Sequence, residues 1–179
     1  MAITKRLMLS AVAVGMAYTA AASPAASEET TIDAFSVWQA RGHIFKTGKD
    51  IGMFLGALQG PFFVETPEGP VGAGTIICPG VLKVNLQDGS QTGEGSCVIT
   101  GEKGAQVYAN WTCSGYHLVG CTGKFTLTGG TGRFSKVTGG GPITVRTTFR
   151  KAAVAADKQS AVETAIGIAF WKGLTYKLP

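Results

Sequence analysis

Apolar and polar residues alternate along most of this chain with the two-residue period of a β-strand. In the segment 143–150, Ile143, Val145, Thr147 and Phe149 share one face, and Thr144, Arg146, Thr148 and Arg150 share the other. In 165–178 the large residues Ile166, Ile168, Phe170, Lys172, Leu174 and Tyr176 share a face. Gly167, Ala169, Trp171, Gly173 and Thr175 occupy the opposite one. Small residues alternating with large apolar ones predict a strand covered on both sides. Seven further segments read as strands: 35–45, 51–58, 62–66, 74–86, 95–100, 105–113 and 117–128. Turn signals separate them, among them Pro67-Glu-Gly-Pro70, Asp88-Gly89 and Gly101-Glu-Lys-Gly104. The Ala-rich stretch 151–162 reads as a surface loop or one short helix. Short strands at regular spacing, with no long amphipathic helical repeat, predict an all-β sandwich or barrel.

Residues 1–27 stand outside this pattern. Lys5 and Arg6 precede an apolar run from Leu7 to Tyr18, and small residues follow to Ser27. That is the layout of a secretory signal peptide, with cleavage expected after Ala22 or Ser27. The apolar run is shorter than the roughly 20 residues of a membrane span. No later segment reads as a stable membrane span, so the expected product is a periplasmic or secreted chain with one domain over 28–179.

Charge changes once the signal is set aside. Removing Lys5 and Arg6 leaves 14 basic against 11 acidic residues, a net charge of +3. The basic residues are scattered, with no run and no interleaved aromatics, so no nucleic-acid partner is expected.

Four cysteines, Cys78, Cys97, Cys113 and Cys121, lie in the mature region. An even count in an exported chain predicts two disulfides. Three pairings exist. A hairpin pairing residue 113 with 121 sets Trp111 against Gly123 and Ala109 against Phe125, which favours Cys113–Cys121. Cys78–Cys97 then follows by elimination. A tight turn at Asp88-Gly89 would set Cys97 opposite residue 80 or 81, so this pair demands a bulge at Pro79-Gly80. Without a Cys-x-x-Cys and with two histidines, no metal site is expected.

The chemistry-bearing residues form no recognisable catalytic motif. The glycine runs lack the spacing of a dinucleotide fingerprint or a P-loop, and no cofactor is expected. Asn110-Trp111-Thr112 matches a glycosylation sequon but falls inside a predicted strand. His43 shares a face with Val37, Gln39, Arg41 and Phe45; His117 sits at the rim of the Cys113–Cys121 hairpin. The face of Thr144, Arg146, Thr148 and Arg150 is either an anion-selective barrel lining or an ordinary solvated face. Glu65, Tyr108 and Glu163 are acid–base candidates that the sequence cannot bring into one pocket.

The segment 125–134, Phe-Thr-Leu-Thr-Gly-Gly-Thr-Gly-Arg-Phe, is a strand that bends sharply at Gly129, Gly130 and Gly132 before Arg133. Arg133 is placed to brace the bend through backbone carbonyls. With Val137-Thr-Gly-Gly-Gly141 behind it, this segment resembles the allene oxide cyclase and dirigent β-barrels. Residues 105–121 also resemble small exported bacterial proteins of unassigned function. The resemblance implies an all-β fold, a single antiparallel barrel of about eight strands, here stapled by disulfides. It also implies a hydrophobic ligand in the lumen and a homo-oligomer formed through the outer faces.

Three functions follow as expectations. The first is non-catalytic binding of a small apolar or amphipathic ligand, with Arg41, His43, Tyr108, Arg146 and Arg150 lining the lumen. The second is a cofactor-free cyclase or isomerase with Tyr108, Glu65 or His43 as acid–base. The third is a structural, envelope-associated protein with a solid barrel.

Overall fold

The computed structural model describes residues 28–117, 119–154 and 160–179. The expected signal segment, 1–27, lies outside the described residues. Eight strands close into an antiparallel barrel in which each pairs with its sequence neighbours and the first with the last. They are β1 (Glu29–Lys46), β2 (Ile51–Thr66), β3 (Gly69–Asn85), β4 (Ser90–Thr100), β5 (Gln106–Tyr116), β6 (Gly120–Gly130), β7 (Thr138–Val154) and β8 (Ser160–Lys177). A 3-10 turn, Gly132–Phe134, joins β6 to β7. Closure removes the exposed sheet edges on which chains aggregate. Among the described residues, no helix is long and apolar enough to cross a membrane.

Nine predicted strands become eight because 51–58 and 62–66 are one strand. Gly60 and Pro61 do not break it: Gly60 pairs with Ile76 and Pro61 with Thr75. The ends of the stretch 151–162 depart from the loop or helix that its alanines suggest, and its centre, 155–159, lies outside the described residues. Ala153 pairs with Val162 and Val154 with Ala161, so the β7–β8 ladder runs through both its ends. Pairing against a formed neighbour outweighs local propensity.

Two bulges set which residues point inward. On β7, Thr147 pairs with Gly167 and Phe149 with Ile166, leaving Thr148 as the extra residue. Side-chain parity reverses there. Ile143, Val145 and Thr147 face the lumen, but Phe149 turns outward at 59% exposure and Arg150 turns in. On β8, Lys172 and Gly173 oppose Asp33 of β1. Gly173 takes φ +66°, a conformation that favours glycine. The Asp33 carboxylate accepts hydrogen bonds from Gly173 N at 2.7 Å and Lys172 Nζ at 3.2 Å. Beyond this bulge Leu174 points inward, where Trp171 did before it.

The interior is filled by aromatics set against small residues. Ala165, Gly167 and Ala169 of β8 face inward, and the Trp38 ring occupies the room they leave. A Cβ on Gly167 would lie 2.5 Å from Trp38 Cζ2. Trp111 lies against Gly80 and Gly95 in the same way. At mid-height, Trp171 packs against Phe62 and Phe125, with ring centroids 5.3 and 5.4 Å away. Together with the fully buried Ile76, Cys97 and Ser36, these rings form a solid waist.

Up to the bulge at Lys172 and Gly173 the large face of β8 is therefore the outer one, and it is not covered on both sides as its pattern suggests. Ile166 is 48% exposed. Phe170 and Phe35 are cross-strand partners outside, and Phe35 stacks on Phe63 at 5.1 Å. Val37, 53% exposed, pairs with Ile168 in the next row.

Both disulfides form as Cys78–Cys97 and Cys113–Cys121. The registers differ from those expected. Ile77 pairs with Val98 and Gly80 with Gly95, which sets Cys78 directly against Cys97 without a bulge. The reason is that residues 86–89 make a four-residue connection rather than a two-residue turn. In the β5–β6 hairpin Cys113 pairs with Gly123, and Gly115 with Cys121. That disulfide therefore crosses the ladder diagonally, over a Cα separation of 5.6 Å. Trp111 accordingly pairs with Phe125, and Ala109 with Leu127.

Candidate functional site

The waist divides the lumen into two cups. One opens among the β3–β4 and β5–β6 connections and holds a cavity of about 110 Å³. Its walls include Trp38, Leu58, Trp111, Ile143 and Trp171, with Cys113 and Cys121 alongside. The other cup, about 620 Å³, opens at the opposite end, where the 3-10 turn and the β4–β5 connection meet. Its walls are Phe62, Ile99, Val107 and Leu127, and Lys103 and Arg133 stand among its lining residues.

The smaller cavity carries a polar cluster on one wall. Arg150 reaches it because of the Thr148 bulge. Glu163 reaches it because it shares inward parity with Ala161 and Ala165. The Arg150 guanidinium donates to Glu163 Oε2 in a close ion pair. His117 Nε2 lies 3.7 Å from the same oxygen. His117 Nδ1 is 2.9 Å from Oε1 of the buried Gln91. Burial pushes the Glu163 carboxyl up, but hydrogen bonds and charge from His117 and Arg150 more than offset this. The net effect holds it below the usual carboxylate range.

Several buried polar atoms here have no hydrogen-bond partner among the described residues. They include Nε1 of Trp38, Trp111 and Trp171, and Nε of Arg150. A buried donor left unsatisfied costs about 1–3 kcal/mol. Such groups are uncommon and call for a structural or ligand-related account.

Of the five residues expected in the lumen, Arg150 points into it. Arg41, His43, Tyr108 and Arg146 stand on the outer face, separated from it by the pleat. His43 stacks on Phe45 at 6.0 Å, and the Tyr108 hydroxyl donates to Gln106 Oε1 at 2.8 Å. Arg146 donates to the carbonyl of Val145. Glu65 is also outside, accepting from Lys172 Nζ at 2.7 Å. His117, Gln91 and the three tryptophans were not singled out for the lumen by sequence. The signal for Glu163 was its place two residues before Ala165, on the small-residue face of the final strand.

The glycine segment bends as its sequence suggests. Gly129 and Gly130 end β6, and Gly132, with φ +55°, opens the 3-10 turn. Arg133 has a different role from the expected carbonyl brace: its guanidinium lies 4.7 Å over the Phe134 ring. Thr131 secures the bend instead, exchanging hydrogen bonds with the backbone of Gln106 through its own N–H and Oγ1. Among the described residues, no group of three or more His, Cys, Asp or Glu side chains is placed to hold a metal ion.

No protein-family model matches this chain. No curated protein matches it either. Among solved structures it is similar to a pterocarpan synthase dirigent protein, at 13% identity and a TM-score of 0.34. That similarity covers 82% of this chain and 93% of the other.

Proposed function

We propose that this is an exported barrel that holds a small apolar or amphipathic ligand in its lumen without transforming it. The observation that carries this reading is the apolar cavity of about 110 Å³, bounded below by the aromatic waist and lined on one wall by Arg150, Glu163 and His117. Its size sets the ligand. Drug-sized molecules occupy pockets of about 300–1,000 Å³, whereas an apolar cavity of about 150 Å³ takes benzene. The guest is therefore a single ring, or the end of a longer molecule whose remainder leaves through the mouth. The test is native mass spectrometry of the protein purified from its own host under non-reducing conditions. An added mass lost on organic extraction supports the reading. A bare mass, with no saturable binding of small-ring compounds to the folded protein, sinks it.

The contact between His117 and Glu163 favours one second reading, a cofactor-free isomerase or cyclase. Tyr108, Glu65 and His43 lie outside the barrel, so Glu163 and His117 would supply the acid–base pair. Prolonged incubation with a bound ligand decides between the two. Product that forms with the native protein and not with Glu163→Gln indicates catalysis; ligand recovered unchanged indicates a carrier.

A further inference from the structure

We infer that the outer face of β8, β1 and β2, with Phe149 of β7 at its side, is the surface through which two copies of this chain pair about a two-fold axis. The rows of that face follow from the registers. Phe170, Phe35 and Phe63 stand side by side, and Ile168 and Val37 form the next row. Phe149, Ile166 and Gln39 form the row after that. Phe149 belongs to it because the Thr148 bulge turns it outward. Phe149, Val37 and Ile166 are each about half exposed. Single apolar residues on a surface are ordinary, but adjoining rows of them make a contiguous patch of the kind that marks an interaction site.

Closure of the barrel limits how such a face is covered. Every strand is paired on both sides, so no edge is free to take up another chain's strand. Association therefore occurs by packing face against face. The charges around the patch select the occupant. At one end Asp33 and Glu65 share the Lys172 ammonium, which leaves one negative charge in excess. At the other end Arg41 and Lys151 are exposed on either side of Thr164. Among the described residues neither cation is in an ion pair. Counted along the strands from Val37, Arg41 lies two rows one way and Glu65 two rows the other. A two-fold axis through the Val37 row, perpendicular to the face, sets two copies antiparallel. It lays the Phe35 row of one copy on the Ile166 row of the other. It also brings the acidic end of each copy to the basic end of its partner. Such reciprocity is what an isologous interface requires. An anionic membrane is a poorer match, because the carboxylates at one end repel it. Strands about 4.8 Å apart and same-face residues about 6.8 Å apart give a face of about 500 Å² from β7 to β2. Two such faces bring about 1,000 Å² together, the lower end of specific interfaces, so the dimer is reversible.

The test is sedimentation velocity of the oxidised mature protein over a wide range of concentration. A reversible monomer–dimer equilibrium is expected. Val37→Lys and Ile166→Lys each place a charge at the centre of the patch and should leave a monomer at every concentration. Both side chains are exposed, so the Tm of dilute protein should be unchanged. Arg41→Glu and Glu65→Lys should each weaken the dimer at least about tenfold. Mixed together, these two variants should form a heterodimer of near-native affinity, because each supplies the charge that the other has lost. A general loss of stability cannot imitate that recovery. A native protein that stays monomeric overturns the inference, and one that also floats with phosphatidylglycerol vesicles assigns the face to lipid instead. A dimer indifferent to Val37→Lys and Ile166→Lys overturns it too, as does a closed trimer. A mixture that associates no more tightly than its components overturns the two-fold arrangement. None of these outcomes bears on the lumen ligand, which stands or falls on its own test.

Discussion

A single unpaired residue, Thr148, decides what the small cavity contains. By simple alternation Arg150 would share the outer face with Arg146, and Phe149 would point inward with Thr147. The bulge exchanges them, so a charged group enters the lumen and a phenyl ring leaves it. Arg150→Ala strands the Glu163 carboxylate in a low-dielectric wall, and should cost about 1–3 kcal/mol in urea denaturation. Removing both partners should cost less than the sum of the single changes. The pH dependence has a definite sign. Glu163 is held below its ordinary range in the folded state. Its stabilisation is therefore complete above the unfolded carboxyl value of about 4.3 and is lost as pH falls through the lower folded value. Glu163→Gln should flatten the acid limb of the stability curve; an unchanged limb would remove Glu163 from the account. None of this was legible in the alternating pattern, because a bulge is a property of the pair of strands and leaves no mark on one of them. Arg150 reached the candidate list as a member of a polar face, and that face is split by the structure.

At the level of strands, the pattern was read well where partners are regular and poorly where the backbone passes a tight neighbour. Gly60-Pro61 looks like a boundary, yet a Cβ on Gly60 would lie 2.1 Å from Val37 O, so the glycine permits close approach within one continuous strand. The small face of β8 looked like one side of a doubly covered strand. It is the inner wall, kept small to admit Trp38. Gly167→Ala tests this: its Cβ would meet Arg146 O at 2.0 Å and the Trp38 ring at 2.5 Å. Overpacking of this kind costs about 1–3 kcal/mol or more, read as a lowered Tm. Gly132→Ala has open space around it but φ +55°, and should cost about 1 kcal/mol through backbone strain alone. If the two losses are equal, packing against Trp38 is not what keeps residue 167 small.

For the molecule as a whole, the even cysteine count was legible as two disulfides, and the pairing chosen from the hairpin is the one that forms even though both registers differ. Reduction should lower stability by about 2–5 kcal/mol, because each disulfide limits the unfolded chain. The check is a thermal melt with and without reductant, on protein whose intact mass is four hydrogens below the all-thiol value. An unchanged Tm would mean that barrel closure alone holds the fold. The division of the interior was not legible, since Phe62, Phe125 and Trp171 come from three strands far apart in sequence and meet only on closure. Their meeting has a consequence for traffic. A closed eight-stranded barrel suggests a pipe, but a molecule entering at the mouth beside His117 meets a stopper of three rings and must leave by the way it came. Exit at the far end requires the rings to part. Under the binding reading proposed above, the cup beside His117 is a vessel with one opening, and release of its guest would be set at the rim that admits it.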